Sequence, residues 1–211
     1  MTNIFRLKVL FTILLFSSIS TTAYAACSVN LPGSQYDQRV DGRSIDQAVF
    51  NNAVLHYTNL LRCRRGLRAF QAAQEVLGAA VTHSTNMAAT RTYSHEVNRR
   101  GARTLRDRLR RQNANFRYAA ENIAKTFVYA LNGRGFIQSG SCNFRYMANN
   151  QNIPPHTYRT LAQELVTSWE NSSGHRENIF SRRFTRMGAG LGIVKNTPLC
   201  GELYASQVFT G

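Results

Sequence analysis

The C-terminal part of the chain restricts the fold most, because two strand-like segments follow a series of helical ones. Residues 187–194 read MGAGLGIV and residues 203–209 read LYASQVF, and a turn containing Asn196 and Pro198 separates them. Alternating glycine in the first segment and β-rich composition in the second favour strands, so the sequence predicts an antiparallel hairpin. Before this hairpin, apolar residues recur every three or four positions, which is the period of amphipathic helices.

Three long helices and one short helix are predicted before the hairpin. Their expected spans are 44–66, 70–90, 104–112 and 158–174. A capping box at Ser44–Gln47 is expected to start the first helix. The short helix should place Leu105 and Leu109 inward and its arginines outward. Residues 121–131 fit either a helix or a strand, and residues 132–155 predict a long loop. Helices followed by a hairpin predict a layered α+β domain.

The N-terminus has the pattern of an export signal. Arg6 and Lys8 precede an apolar run at 9–16, and Ala23-Tyr24-Ala25 fits a small-x-small cleavage site. We therefore predict a signal peptide at 1–25, an irregular arm at 26–43 and a single domain at 44–211. The protein is expected to be secreted or periplasmic. Lipid anchoring at Cys27 is disfavoured, because Tyr24 fits that signal poorly.

Four cysteines remain after the predicted signal peptide, at positions 27, 63, 142 and 200. An even number of cysteines in an exported chain indicates two disulfides, for which three connectivities are open. Pairing within each half of the chain would join Cys27 to Cys63 and Cys142 to Cys200. Neither a CxxC pair nor a Cys/His cluster suggests a thiolate zinc site.

The chain is strongly basic, with 26 Lys and Arg against 11 Asp and Glu and a formal net charge of +15. Such a charge favours anionic partners, and export makes a membrane or cell-envelope surface a better candidate than nucleic acid. No RNA- or DNA-binding signature is present. The sequence does not define the oligomeric state.

Two histidines and one glutamate are the main candidates for chemistry. His95 and His175 each follow a predicted helix, and Glu121 begins an otherwise apolar segment. Two imidazoles and a carboxylate suit either a divalent cation or acid/base work near neutral pH. His83 has helical spacing, which favours packing near the core over a ligand role. His56 and His156 are expected at the surface.

Six short motifs in a particular order carry a family resemblance. They are LLRCRRGL, AAVTHSTNMAATRTYSH, AAENIA, LVTSWENSSGHRENI, GAGLGIV and LYASQVF. Together they resemble the CAP superfamily of cysteine-rich secretory, antigen 5 and pathogenesis-related 1 proteins, and most of all its bacterial SCP-like branch. The resemblance extends over about residues 48–209. It implies an α-β-α sandwich with helices on both sides of a small antiparallel sheet.

The resemblance also implies a central cleft with two histidines and two acidic residues, which in several members binds zinc or another divalent cation. By position, His95, Glu121 and His175 match this set. For the second acid two alternatives are open: Glu170 fills the place, or Asn171 stands there as a neutral substitute. With asparagine, the site would hold a dication more weakly.

Two functions follow from the resemblance. One is a binding module for lipid, envelope or protein partners, and the other is a metal-dependent hydrolase of the protease type with Glu121 as base. Neither an HExxH motif nor a G-x-S-x-G elbow is present, which favours the binding module. In that role, the arginine-rich stretch at 98–112 would orient the protein on an anionic envelope.

Overall fold

The computed structural model describes residues 30–40, 44–131 and 133–211. The predicted signal peptide, Cys27 and both ends of the predicted arm lie outside these ranges. The helices are α1 (Gln47–Arg64), α2 (Gln74–Thr90), α3 (Leu105–Arg111), α4 (Tyr158–Asn171) and α5 (Ser173–Phe180). The strands are β1 (Gln71–Ala72), β2 (Ala119–Phe127), β3 (Phe136–Gln138), β4 (Phe144–Tyr146), β5 (Arg186–Val194) and β6 (Glu202–Thr210).

The main sheet has four strands in the order β1-β5-β6-β2. Strands β5 and β6 form the predicted antiparallel hairpin, with Arg186 opposite Thr210. The segment that fitted either helix or strand is strand β2, which pairs antiparallel with β6 along its whole length. Short β1 adds a parallel pair to β5. Strand β2 therefore forms one edge of the sheet, and this edge carries Glu121.

The alternating glycines of β5 allow helix α2 to lie directly on the strand. A Cβ atom added at Gly190 would lie 2.3 Å from the backbone nitrogen of Val81, and Gly188 and Gly192 meet α2 in the same way. Glycine at these positions is required because only a bare backbone permits this approach. The alternate residues Met187, Ala189 and Leu191 point to the opposite face and enter the main core.

Helices cover both faces of the sheet, so the predicted α-β-α sandwich is confirmed. Helix α2 covers one face, and α1, α4 and α5 pack on the other side. The largest fully buried apolar side chains of the core come from α1, α4 and the sheet: Phe50, Leu161, Leu165, Trp169 and Phe209. Among the described residues, no helix combines the length and apolar character needed to span a bilayer.

Two local predictions about helix starts and ends are wrong. Helix α1 is capped by Asp46, whose Oδ1 accepts from two backbone amides, rather than by the box at Ser44. The last predicted helix is two helices, because the chain turns to extended backbone at Ser172 and then starts α5. His175 therefore lies in the first turn of α5, and not after a helix end.

The region predicted as a long loop contains the small hairpin β3–β4. A disulfide joins Cys142, in the turn of this hairpin, to Cys200, in the turn between β5 and β6. This bond confirms one predicted pair. Cys63 is also disulfide-bonded, and its predicted partner Cys27 lies outside the described residues.

Candidate functional site

Glu121 is the centre of a buried polar cluster on the α2 side of the sheet. Its side chain is 3% exposed, and Oε1 accepts hydrogen bonds from Arg108 Nη2 at 2.8 Å and Ser206 Oγ at 3.0 Å. Burial alone would raise the pKa of Glu121, but the hydrogen bond from His95 and the charge of Arg108 hold it below its usual range. Glu121 is therefore a carboxylate with positive neighbours.

Arg108 fixes both Glu121 and the loop after α2. It is fully buried on helix α3, which corrects the prediction that the arginines of this helix point outward. Besides the ion pair with Glu121, Nη1 donates to the carbonyl of Arg103 at 2.9 Å and makes a longer 3.4 Å contact with that of His95. A buried guanidinium with a carboxylate partner holds these segments together at a fixed distance.

His95 contacts the second oxygen of the carboxylate. Its Nδ1 lies 3.1 Å from Glu121 Oε2, and since an ionised carboxylate only accepts, Nδ1 carries the proton. The His95 side chain is 56% exposed, so the rest of the ring faces solvent. The arrangement leaves Nε2 unprotonated in the neutral ring, with a free lone pair.

His83 is the third imidazole at the cluster, and it is fully buried, as its helical spacing predicted. Nε2 lies 3.4 Å from Glu121 Oε2, but neither ring nitrogen has a well-aligned hydrogen bond within the described residues. Burial, reinforced by the charge of Arg108, lowers the pKa of His83 to about 4 although Glu121 opposes this. His83 is therefore neutral at pH 7 and makes no ion pair there.

His175 reaches the site from the opposite side of edge strand β2. The buried side chain of Asn122 donates to the His175 carbonyl at 3.2 Å and accepts from Asn178 at 2.8 Å, which ties α5 to the strand. Burial, and then the charge of His95, lower the pKa of His175. The two imidazoles are thus near enough for one charge to act on the other.

Glu170 and Asn171, the two alternatives for the second acidic residue, do not share the contacts made by His95, Glu121 and His175. Glu170 is partly exposed near the end of α4, where its backbone carbonyl accepts from Arg176 Nη1 at 3.0 Å. No ion pair within the described ranges joins the Glu170 carboxylate to His95 or His175, and Asn171 is exposed. The preceding Trp169 is buried and donates to the Ile123 carbonyl of β2 at 3.0 Å.

These residues resemble part of a metal site more than a complete one. A metal-binding histidine usually donates its second ring nitrogen to a carboxylate, which is the relation of His95 to Glu121. Both oxygens of Glu121 already accept from neighbouring side chains, so it suits an orienting role. Over the described ranges, no three His, Cys, Asp or Glu side chains form a complete ligand set.

Comparison with known proteins identifies the family. Residues 55–209 match the cysteine-rich secretory protein family, CAP. The chain belongs to this family. Among curated proteins, it is 25% identical over 145 residues to the uncharacterised membrane protein YlbC of Bacillus subtilis strain 168. That match covers 69% of this chain and 32% of YlbC, so the chain spans about a third of the length of this relative.

Two solved structures with a similar fold are of bacterial proteins described as extracellular or outer-surface. An extracellular protein with an SCP domain from Bacillus anthracis has a TM-score of 0.52 and 23% identity, over 87% of this chain and 45% of that one. An outer surface protein of Borrelia burgdorferi has a TM-score of 0.53 and 15% identity, over 81% of this chain and 99% of that one. At these identities the likeness shows the fold alone.

Sequence reasoning about this CAP domain missed three buried polar residues: Arg108 and Ser206 in the cluster around Glu121, and Asn122 on the other side of β2. Arg108 is one of many arginines in a basic stretch, and although its helical spacing places it beside the inward-facing Leu105 and Leu109, an arginine at such a position usually extends to solvent. Ser206 and Asn122 each lie in a segment that also carries several apolar residues, where a buried polar side chain needs a partner. A polar residue in such a segment was the signal available in the sequence. The partner of Ser206 becomes visible only from the strand pairing, because Ser206 and Glu121 lie on neighbouring strands.

The prediction that His156 lies at the surface is wrong. His156 is 3% exposed, with Nδ1 3.1 Å from Thr160 Oγ1 and Nε2 3.3 Å from Glu164 Oε2. Its backbone nitrogen donates to the carbonyl of Val128, which holds the residue between the end of β2 and the start of α4. His56, the other histidine assigned to the surface, is half-buried.

Proposed function

We propose that this protein is an exported binding module in which His95 and His175 hold a divalent cation, zinc or a similar ion. The observation that carries the proposal is the 3.1 Å contact between His95 Nδ1 and Glu121. It orients the ring and leaves Nε2 available on the exposed side, where the charge of His95 acts on His175. In this proposal Glu121 orients a ligand and is not a ligand itself.

Such a site holds its ion weakly. Structural zinc sites use four protein ligands, whereas two imidazoles leave the remaining positions to water or to a partner molecule. A cation with open positions supplies Lewis acidity and a point of attachment for an anionic or carbonyl group. The chain's own contribution is to hold two neutral imidazoles: a carboxylate orients the ring of His95, and Asn122 holds the backbone of His175.

Elemental analysis after equilibration with zinc tests the proposal. The wild type should retain zinc, and the double variant His95→Ala/His175→Ala should lose it while its circular dichroism is unchanged. Glu121→Gln should weaken binding about tenfold or more, because the orienting acceptor is altered. His56→Ala is the matched control, since it removes an imidazole from outside the cleft. Equal zinc content in all four proteins would refute the proposal.

An anionic envelope or lipid surface is the proposed partner. Helix α3 and the loop before it expose a set of arginines: Arg99, Arg100, Arg106, Arg110 and Arg111. Such a surface attracts anionic headgroups through charge that salt screens. Sedimentation with phosphatidylglycerol vesicles should therefore decrease strongly between low and high salt. Binding that ignores ionic strength would exclude this electrostatic contact.

The hydrolase alternative has weaker support from the geometry. Glu121 would have to act as the base, but Arg108 and Ser206 occupy one of its oxygens, and its lowered pKa makes it a poor proton acceptor. Casein turnover that requires His95 and is abolished by a chelator would reverse this preference.

A further inference from the structure

A second buried arginine, Arg62, lies at the C-terminal end of α1, outside the cluster around Glu121. It is 2% exposed. Nε donates to the carbonyl of Arg68 at 2.7 Å, and Nη1 donates to the carbonyls of Ile179 at 2.6 Å and Ser181 at 2.9 Å. The guanidinium also stacks on Phe70, with its carbon 3.8 Å from the ring centre. Its position and orientation are therefore fixed.

The environment of Arg62 differs in charge from that of Arg108. Arg108 is neutralised by Glu121, whereas every acceptor of Arg62 among the described residues is a neutral carbonyl. The Ile179 carbonyl lies at the end of α5, and a helix end supplies only a partial negative charge. Burial, and then the charge of Arg182, lower the pKa of Arg62 to about 10. A buried cation without a counter-charge is costly, so this position favours an external anion.

Arg62 lines a pocket of about 230 Å³. Nη2 has two N–H groups, and no described residue accepts from them. Arg68 and Arg182 line the same pocket, are exposed, and form no ion pair with any described carboxylate. The loop at 66–69 together with Phe184 and Thr185 completes the lining. Three arginines from three segments thus line one pocket, and no acidic residue of the described chain lines it.

We propose that this pocket binds a doubly charged oxyanion of the phosphate class, such as a phosphate monoester. Guanidinium groups match the oxygens of phosphate in geometry, and one of the three is already buried and oriented. Three positive charges favour a dianion over a singly charged carboxylate. The same chemistry occurs in a free phosphate ester and in a phosphate-bearing lipid headgroup, and both would enter through Arg68 and Arg182.

Inorganic phosphate is the first probe, measured by calorimetry at low ionic strength on the full chain. Arg182→Gln and Arg68→Gln should each weaken binding about tenfold, because each removes a charge-assisted contact. Arg106→Gln is the matched control, since it removes one exposed arginine charge from α3, outside the pocket. Its phosphate affinity should equal that of the wild type. Arg62 is left intact because its hydrogen bonds hold the segments at Ile179 and Ser181.

Vesicles of phosphatidylcholine containing phosphatidic acid distinguish the two sources of the group. If inorganic phosphate displaces the protein from these vesicles, the pocket takes the headgroup. If vesicle binding is insensitive to phosphate while calorimetric binding depends on Arg182, the pocket takes a free ester. Absence of phosphate binding, or equal weakening by all three substitutions, overturns the proposal. These variants leave His95 and His175 unchanged, so the outcome is independent of the cation test.

Discussion

Replacing Arg108 with methionine should destabilise the protein by about 3–5 kcal/mol. Both partners of the pair are buried, with side chains 0% and 3% exposed and a separation of 2.8 Å. Methionine retains much of the side-chain volume, so the main loss is the counter-charge of a carboxylate that is shielded from water. Removal of one partner of a buried ion pair has an effect of this size. Adding Glu121→Gln to the Arg108→Met variant removes the unpaired buried charge and should restore at least about 1 kcal/mol of stability.

Urea denaturation at pH 7, followed through the fluorescence of the single tryptophan, measures the free energy of unfolding of the wild type, the two single variants and the double variant. Arg103→Met is the matched control, because its ion pair with Glu96 joins side chains that are 67% and 53% exposed. Such exposed pairs contribute less than about 1 kcal/mol. A coupling free energy below about 0.5 kcal/mol between Arg108 and Glu121 would refute the reasoning, because the effects of the two substitutions on stability would then simply add, as they do for residues that do not interact.

Three further changes test other parts of the structure. Gly190→Ala should lower the free energy of unfolding by about 3 kcal/mol, because the added Cβ would lie 2.3 Å from the backbone of α2. Gly174→Ala is the control: no atom lies within 4 Å of a Cβ added there, so it should not destabilise the protein in the same urea assay. Replacing Cys142 and Cys200 together with serine should cost about 2–4 kcal/mol in calorimetric unfolding, and an unchanged melting temperature would contradict this. The pKa of His83 is about 4 in the folded protein against an ordinary 6.5, so the unfolded chain takes up the proton first as the pH falls. The free energy of unfolding should therefore decrease between pH 6.5 and pH 4, by up to roughly 3 kcal/mol. His83→Gln should make this decrease smaller.

The sequence was sufficient for the features that rest on local pattern. Glycine alternation at 188–192 predicted strand β5, and the turn after it predicted the pairing with β6. The periodicity of apolar residues likewise predicted the ends of α1 and α2 to within a few residues. These features depend on neighbours in the chain, which a single sequence displays directly.

Features that depend on distant partners were not visible. Helical spacing places Arg108 beside the apolar face of Leu105 and Leu109, but spacing alone does not distinguish a buried arginine from one whose charged end reaches solvent. The carboxylate of Glu121 on β2 supplies the partner that Arg108 needs when it is buried. The break at Ser172 also has no strong local signal, because small residues occur both in helices and at their ends. For His156, burial follows from contact with the sheet and with α4, which residue type and a preceding proline pair do not reveal.

The contact between α2 and the glycine face of β5 has a consequence for the cleft. Because glycines 188, 190 and 192 of β5 present no side chains to α2, the strand has no rotamers at these contacts that could shift to absorb a change of volume. The height of α2 above the sheet is therefore fixed by van der Waals contact of backbone atoms, and so is the starting point of the loop that carries His95. A methyl group on the strand, remote from any ligand, would raise that loop and change the spacing of the imidazole pair.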